Sequence, residues 1–248
     1  MTRWLKDDAT LLPLETNKPP QETAEALACL ANIPTDAANF RIQNQFTTLS
    51  SLRKPSSRTA WERRRAELLA QLREKVFRWF PTNSIPFETK ILRGTGGWLT
   101  RYEYAGHKEV LFQAEDGARV RAQLFTPKGR PTGAPLLIYV KRPSDSIAFM
   151  DVDEWLPLLG RYAVLILNPR FTEQTMSAAE FTNIERTAVW MGRTIAAMRI
   201  WDVRRAVQWA VEEEKLAPAS ISLYGKDEMG AVALYAALFE ERVTSKSS

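Results

Sequence analysis

The chain has 248 residues, 45% of them hydrophobic and 25% charged, which is ordinary for a globular domain and excludes collagen-like, low-complexity and wholly disordered chains. No apolar run approaches the ~20 residues of a membrane span. A single cysteine (Cys29) and a single histidine (His107) exclude a disulfide scaffold and leave too little for a zinc site.

The opening residues Met1 to Asp8 reach acids before any apolar core and do not read as a secretory signal. Location stays open: cytoplasmic is the default, and an extracytoplasmic one fits if the N-terminus is incomplete. The net charge of +5 comes from 34 basic and 29 acidic residues. Between Arg53 and Arg78 nine Lys/Arg face three Glu, so the rest of the chain sits near −1. The basic character belongs to one segment and is no sign of a general affinity for nucleic acid.

Residues 1–56 are rich in Pro, Thr, Asn and Gln and read as a largely irregular, extended arm. Within it Ala24, Leu27, Ala28 and Leu30 suggest a short helix from Glu22 to Ala31. Residues 57–81 read as a basic amphipathic helix. A Thr59–Glu62 capping box opens it, Trp61, Leu68, Leu69, Leu72, Val76, Trp79 and Phe80 recur at helical spacing, with Leu68, Leu72, Val76 and Trp79 expected to be buried, and Pro81 ends it. Its triplet Arg63, Arg64 and Arg65 reads as a solvated face in preference to a phosphate or acidic-partner site, because no aromatic or Gly-rich nucleic-acid signature accompanies it. A weaker reading makes this helix the working face of a basic adaptor.

From Pro86 the period changes. Phe87 to Leu92 and Leu99 to Tyr104 read as strands around Gly94 to Gly97, with His107 in a turn after them. Val110 to Ala114 and Val120 to Phe125 form a hairpin around Glu115-Asp116-Gly117. Pro135 to Val140, Tyr162 to Leu167 and Ser220 to Tyr224 are short apolar strands. Helices are expected from Val152 to Gly160, from Thr187 to Glu214 and from Gly230 to Glu241. Antiparallel entry strands followed by alternating strands and helices give an α/β fold with a mostly parallel sheet and helices on both faces.

Ligands of such sheets bind beyond the carboxyl ends of the strands. Three runs stand there: Lys141 to Asp145, Asn168 to Phe171, and Gly225 to Gly230. Lys141, Arg142 and Arg170 either gather with Asp227 and Glu228 as an anion or carbohydrate site, or pair with them to neutralise polar strand ends. Asp202 reads as a structural carboxylate, solvated or paired.

Gly225-Lys-Asp-Glu-Met-Gly230, followed by the Ala/Leu-rich helix to Leu238, resembles the nucleophile elbow of an α/β-hydrolase. The helix Trp201 to Trp209 and the run Asn168-Pro-Arg170 are similar to those of the acetyl xylan esterase and prolyl-oligopeptidase-like branch. The resemblance covers about Val110 to Val243 and makes residues 86–248 the N-terminal portion of an α/β-hydrolase-like domain. It implies a carboxylic ester hydrolase family acting on acylated carbohydrates. It also places Asp227 where the serine nucleophile stands, and Lys141-Arg142 where an oxyanion run of His-Gly type stands.

Asp227 is either a carboxylate nucleophile or the N-cap of the helix after it. In this fold the acid and the histidine follow the nucleophile in chain order, and the 18 residues after Gly230 contain no His. The expectation is therefore a degenerate or incomplete domain with no ester-hydrolysing activity of its own. It would serve as a scaffold or binding module beside the remainder of a longer polypeptide or a catalytic partner domain, without cofactor, metal or membrane. The alternative is an esterase using Asp227 with acid and base supplied from elsewhere. One edge of the Ser220 to Tyr224 strand is expected to be unpaired.

Overall fold

The computed structural model describes residues 20–30, 32–46, 54–78, 80–81, 85–93, 104–127, 129, 133–145, 158, 160–172 and 176–244. Two compact units divide the chain, Met1–Lys54 and Pro55–Ser248. In the first, Glu22 to Leu30 forms turns and no helix, with the Leu27 N–H bonded to the Thr23 carbonyl. Among the described residues of this unit, the helical structure is one 3-10 turn at Ala38–Phe40 and one α turn at Gln43–Phe46.

The second unit opens with α1 (Arg58–Gln71), continued by a wider π-type turn at Leu72–Val76. Its cap is Ser57, whose hydroxyl accepts from the Ala60 N–H, and not Thr59; Glu62 instead pairs with Arg58. The expected apolar face holds in part: Leu69 and Leu72 pack at the margin of the core and Phe80 lies in it, but Trp61, Leu68 and Val76 are exposed and α1 itself buries no residue. Phe77 and Phe80 make the attachment, their rings set edge-on against Phe239, and Phe77 also against Tyr235. Trp79 lies outside the described residues, as do Gly94 to Gly97, the strand expected from Leu99 up to Tyr104, and most of the helix expected from Val152.

Six strands form one sheet: β1 (Lys90–Arg93), β2 (Tyr104–Glu115), β3 (Ala118–Pro127), β4 (Leu136–Val140), β5 (Ala163–Asn168) and β6 (Ile221–Gly225), in the order β1-β2-β3-β5-β4-β6. β2 is antiparallel to both β1 and β3, and β3 is antiparallel to β5, whereas β4 runs parallel to both β5 and β6. The hairpin is as expected: Asp116 and Gly117 make its turn, with Gly117 at φ 71°. Both strands run longer than their apolar cores. β2 takes in His107, which is a strand residue opposite Phe125 and not part of a turn.

The long helix expected from Thr187 to Glu214 is two helices, α2 (Ala178–Trp190) and α3 (Ile195–Gln208), the second continued by a π-type turn at Trp209–Glu213. Gly192 at φ 72° breaks the chain between them, and Thr194 caps α3 by accepting from the Ala197 N–H. Val189, expected inward, is exposed at the end of α2. A capping box does occur at α2, where Ser177 and Glu180 satisfy each other's backbone.

The last helix, α4 (Glu228–Phe239), packs against α3 and β6. One face of the sheet, with Phe112, Leu124, Ile138, Leu165 and Val140, buries Ile200, Val203, Val207, Met229 and Ala236 of these helices in the main core. The indoles of that core are satisfied: Trp201 donates to the Ala114 carbonyl and Trp209 to the Thr89 hydroxyl. On the other face Tyr139, Val164 and Ile166 pack with Phe125, Leu137, Leu158 and Tyr162. Among the described residues β6 is an edge strand, as expected. Thr244 returns to its first residue, the N–H donating to the Ile221 carbonyl while the hydroxyl accepts from the Ile221 N–H. No helix among the described residues is long and apolar enough to cross a membrane.

Candidate functional site

Parallel register fixes which side chains meet. Val140 of β4 pairs with Gly225 of β6, so the residues two further on, Arg142 and Asp227, emerge side by side above the sheet. Arg121 of β3 pairs with Asn168, the last residue of β5, which brings the hairpin end at Glu115 to the same side.

The turn from β6 into α4 is a sharp elbow. A Cβ added to Gly225 would lie 2.3 Å from the Met229 carbonyl oxygen, so this position must be glycine. Met229, whose carbonyl makes that approach, is fully buried in the main core. Gly230, one residue later, makes the next close approach, 3.1 Å from a would-be Cβ to the Gly225 oxygen. Asp227 is held at φ 51°, ψ −124°, a strained conformation for a residue with a Cβ. Its side chain is not the helix cap: it makes no capping hydrogen bond to the first turn of α4. The carboxylate, 75% exposed, pairs with Arg142 Nη1 at 2.5 Å.

Arg142 is held from behind by Asp145. The Arg142 backbone N–H donates to Asp145 Oδ2 at 2.9 Å, Nε donates to Oδ1 at 2.9 Å, and Nη2 lies 2.8 Å from Oδ1. The Tyr139 hydroxyl donates to the same carboxylate, and its ring stacks on Tyr224 of β6 with centroids 5.6 Å apart. Burial works to raise the Asp145 carboxyl, but hydrogen bonds from Arg142 and Tyr139 outweigh it and hold the group below its ordinary range. The burial of Tyr139, and then the same carboxylate, push that phenol well above its usual value. The hydrogen bonds that Arg142 donates to Asp145 and then to Asp227 hold its proton more tightly than usual.

Lys141 points to the interior. It is 3% exposed, its Nζ donates to the Arg142 carbonyl at 3.3 Å, and desolvation holds its ammonium below the ordinary lysine value against the pull of Asp145.

Arg170 does not join this group. It lies just past the end of β5 with its side chain 10% exposed, where Nε and the backbone N–H donate to the fully buried Asp202, Nη1 to Glu115 and Nη2 to the Met198 carbonyl. Arg193 closes on the other side of Glu115. Burial alone would lower the Arg170 guanidinium, but Asp202 and Glu115 reverse this and raise it. Asp202 is therefore the paired structural carboxylate that the sequence suggested. Glu228 is linked to this layer, not to Arg142: its Oε1 lies 3.4 Å from Arg199 Nη1, and Arg199 also donates to the carbonyls of Arg170 and Phe171.

Asp145, Tyr139 and Arg199 had no assigned role in the sequence reading. The spacing Arg142-x-x-Asp145 after a strand was the available signal for the first, and nothing in the chain order marks the other two.

His107 stands far from the elbow. It lies in β2 opposite Phe125, whose partner Val164 is near the start of β5, so it belongs to the opposite end of the strands. Its ring stacks on Phe125 with centroids 4.6 Å apart, and desolvation keeps its pKa below 6.5. The elbow therefore holds a carboxylate tied to a guanidinium, and the chain's one imidazole does not reach it. Among the described residues no three His, Cys, Asp or Glu gather where a metal ion could be held.

No family model matches the chain, and no curated protein is similar to it in sequence. Solved structures do match in fold. An assigned acetyl xylan esterase from Bacteroides fragilis superposes with a TM-score of 0.64 at 8% identity, over 86% of this chain and 59% of its own. A glucuronoyl esterase from Solibacter usitatus gives 0.57 at 14% identity, over 76% and 58%. Acetyl xylan esterase 1 from a Thermoanaerobacterium species gives 0.50 at 13% identity, over 77% and 57%. The chain thus spans less than two thirds of the length of these structures. Its parallel β5-β4-β6 core, antiparallel entry strands and strained elbow make the fold an α/β-hydrolase-like one, similar to that of these esterases.

Proposed function

We propose that this chain is an esterase-like α/β domain that does not hydrolyse esters itself and serves as a binding module or scaffold, beside a catalytic partner domain or the rest of a longer polypeptide. One observation carries the reading: the elbow position holds Asp227, and Asp227 is bound to Arg142. A carboxylate neutralised by a guanidinium is a weak nucleophile, and its ester intermediate would need a base to activate water. The chain's one histidine is at the other end of the sheet.

A second reading has one observation in its favour. Asp227 keeps the strained backbone of an elbow nucleophile, and strain of that kind concentrates at active sites. In that reading the chain is an ester hydrolase acting on acylated carbohydrates, with Asp227 attacking and the acid and base supplied by another region.

Hydrolysis of short-chain aryl esters and of acetylated xylo-oligosaccharides separates the two. We expect background rates from the purified chain. Turnover abolished by Asp227→Ala would establish the enzyme reading, and turnover that survives the change would sink both.

A further inference from the structure

Arg142 presents its guanidinium as a receptor does. One edge of the fork, Nε with Nη2, is fixed on Asp145, which is itself held by Tyr139 and by the Arg142 backbone N–H. The remaining nitrogen, Nη1, is turned toward the elbow, and the group that meets it there is the Asp227 carboxylate. The two carboxylates differ in kind. Asp145 has a 13% exposed side chain inside a hydrogen-bonded network, whereas Asp227 is 75% exposed on a single contact. Exposed single-contact ion pairs are weak and exchange readily with solvent and ligands.

The start of α4 adds no second set of donors: the Met229 and Gly230 N–H groups of its first turn already donate to the Lys226 carbonyl, and Gly230 also to that of Asp227. A guanidinium whose geometry is set by one carboxylate is matched to a second planar carboxylate approaching its free end.

We infer that Arg142 forms a binding seat for a ligand carboxylate, which the Asp227 side chain fills when no ligand is present. The inference rests on the binding-module reading and gives it a ligand class, a carboxylate-bearing small molecule. Asp227 acts as an internal competitor. Asp145 and Tyr139 are positioning residues that hold the guanidinium ready.

The test is titration of the full chain by calorimetry and by 15N-detected spectra of the arginine side chains, with D-glucuronate and acetate as probes and D-glucose as the neutral control. Asp227→Asn removes the competing charge and should tighten D-glucuronate by about tenfold or more, with the Arg142 Nε–H resonance shifting on addition. Arg142→Lys in the Asp227→Asn background keeps the charge but loses the fork, and should reverse that gain. The shift of the Arg142 resonance in Asp227→Asn alone decides the matter if the double variant does not fold.

Acetate as good as glucuronate supports a bare carboxylate seat, and tighter glucuronate supports a seat for a sugar acid. Equal affinity in the native chain and Asp227→Asn, or binding of glucose as strong as of glucuronate, overturns the inference. A chain that fails this test while still not cleaving esters leaves the inert reading standing, so the two failures are distinguishable.

Discussion

Two arginines follow two neighbouring parallel strands, and the fold uses them in opposite ways. Arg170, after β5, is sunk between Asp202 and Glu115 with its side chain 10% exposed. Arg142, after β4, has one carboxylate behind it and one in front, and the one in front is in water. From sequence they look alike, each a cation one or two residues past an apolar strand with acids elsewhere in the chain. Depth separates them. A buried pair cannot exchange its partner without leaving a charge stranded in low dielectric, so it holds structure. A pair at the surface gives up little when it opens and can serve a ligand.

The largest expected effect tests the buried half of that contrast. Arg170→Ala leaves Asp202, which has no exposed surface, without its compensating cation. The loss should be about 3–5 kcal/mol, the range for breaking one side of a buried ion pair. Urea unfolding of the variant measures it, and a loss under about 1 kcal/mol would mean that the cluster is hydrated and that depth does not distinguish the two arginines.

The elements that set this contrast were legible in the sequence to different degrees. The continuous apolar runs of β4 and β5 announced strands buried on both faces, and Asp116-Gly117 announced the hairpin. The strand–Gly–turn–helix order announced the elbow. What decides the site was less visible. Asp145 fixes Arg142 and Asp202 fixes Arg170, yet both are simply acids in a chain with 29 Asp and Glu. Which acid meets which base depends on strand register and loop path, and these are tertiary. The break at Gly192 and the cap at Thr194 were signalled by residue type, but an apolar pattern running through both masked them. The segment around α1 is legible in part: helical spacing marks Leu69, Leu72 and Phe80, which do meet the core, and equally Leu68 and Val76, which stay exposed.

Acid titration sharpens the comparison. Burial would raise the Glu115 carboxyl, but hydrogen bonds from Arg193 and Arg170 overcome this and depress it below its ordinary 4.5. Asp145 is likewise depressed below 3.8, through Arg142 and Tyr139. A carboxyl whose pKa falls on folding stabilises the fold above its unfolded value, and the contribution fades as pH falls through the folded value. Both groups therefore weaken the fold in acid, with Glu115 starting to do so at the higher pH. Urea midpoints from about pH 6 to about pH 3 should show Glu115→Gln flattening the decline from its upper end, and Asp145→Asn only from its lower end. Identical profiles would mean that the two clusters are equally coupled to folding.

The smallest effect concerns the elbow backbone and has the opposite sign. Asp227 sits at φ 51°, ψ −124°, where a Cβ is strained. Strain of this class costs about 1–3 kcal/mol, and glycine escapes it. Glycine also gives the unfolded chain more freedom, which takes back about 0.5–1 kcal/mol. Asp227→Gly should therefore be more stable than Asp227→Ala by about 1 kcal/mol. Both changes remove the carboxylate and its contact with Arg142, so their difference isolates the backbone from the ion pair. Equal unfolding midpoints would show that the turn relaxes once the carboxylate is gone, and that the Arg142 contact itself holds the elbow in shape. A more stable glycine variant would instead locate the strain in the fold, where Gly225 pressed against the Met229 carbonyl and the buried Met229 fix the turn whatever side chain stands at 227. In that case the seat in front of Arg142 survives the loss of its internal occupant, as carboxylate binding by Asp227→Asn requires.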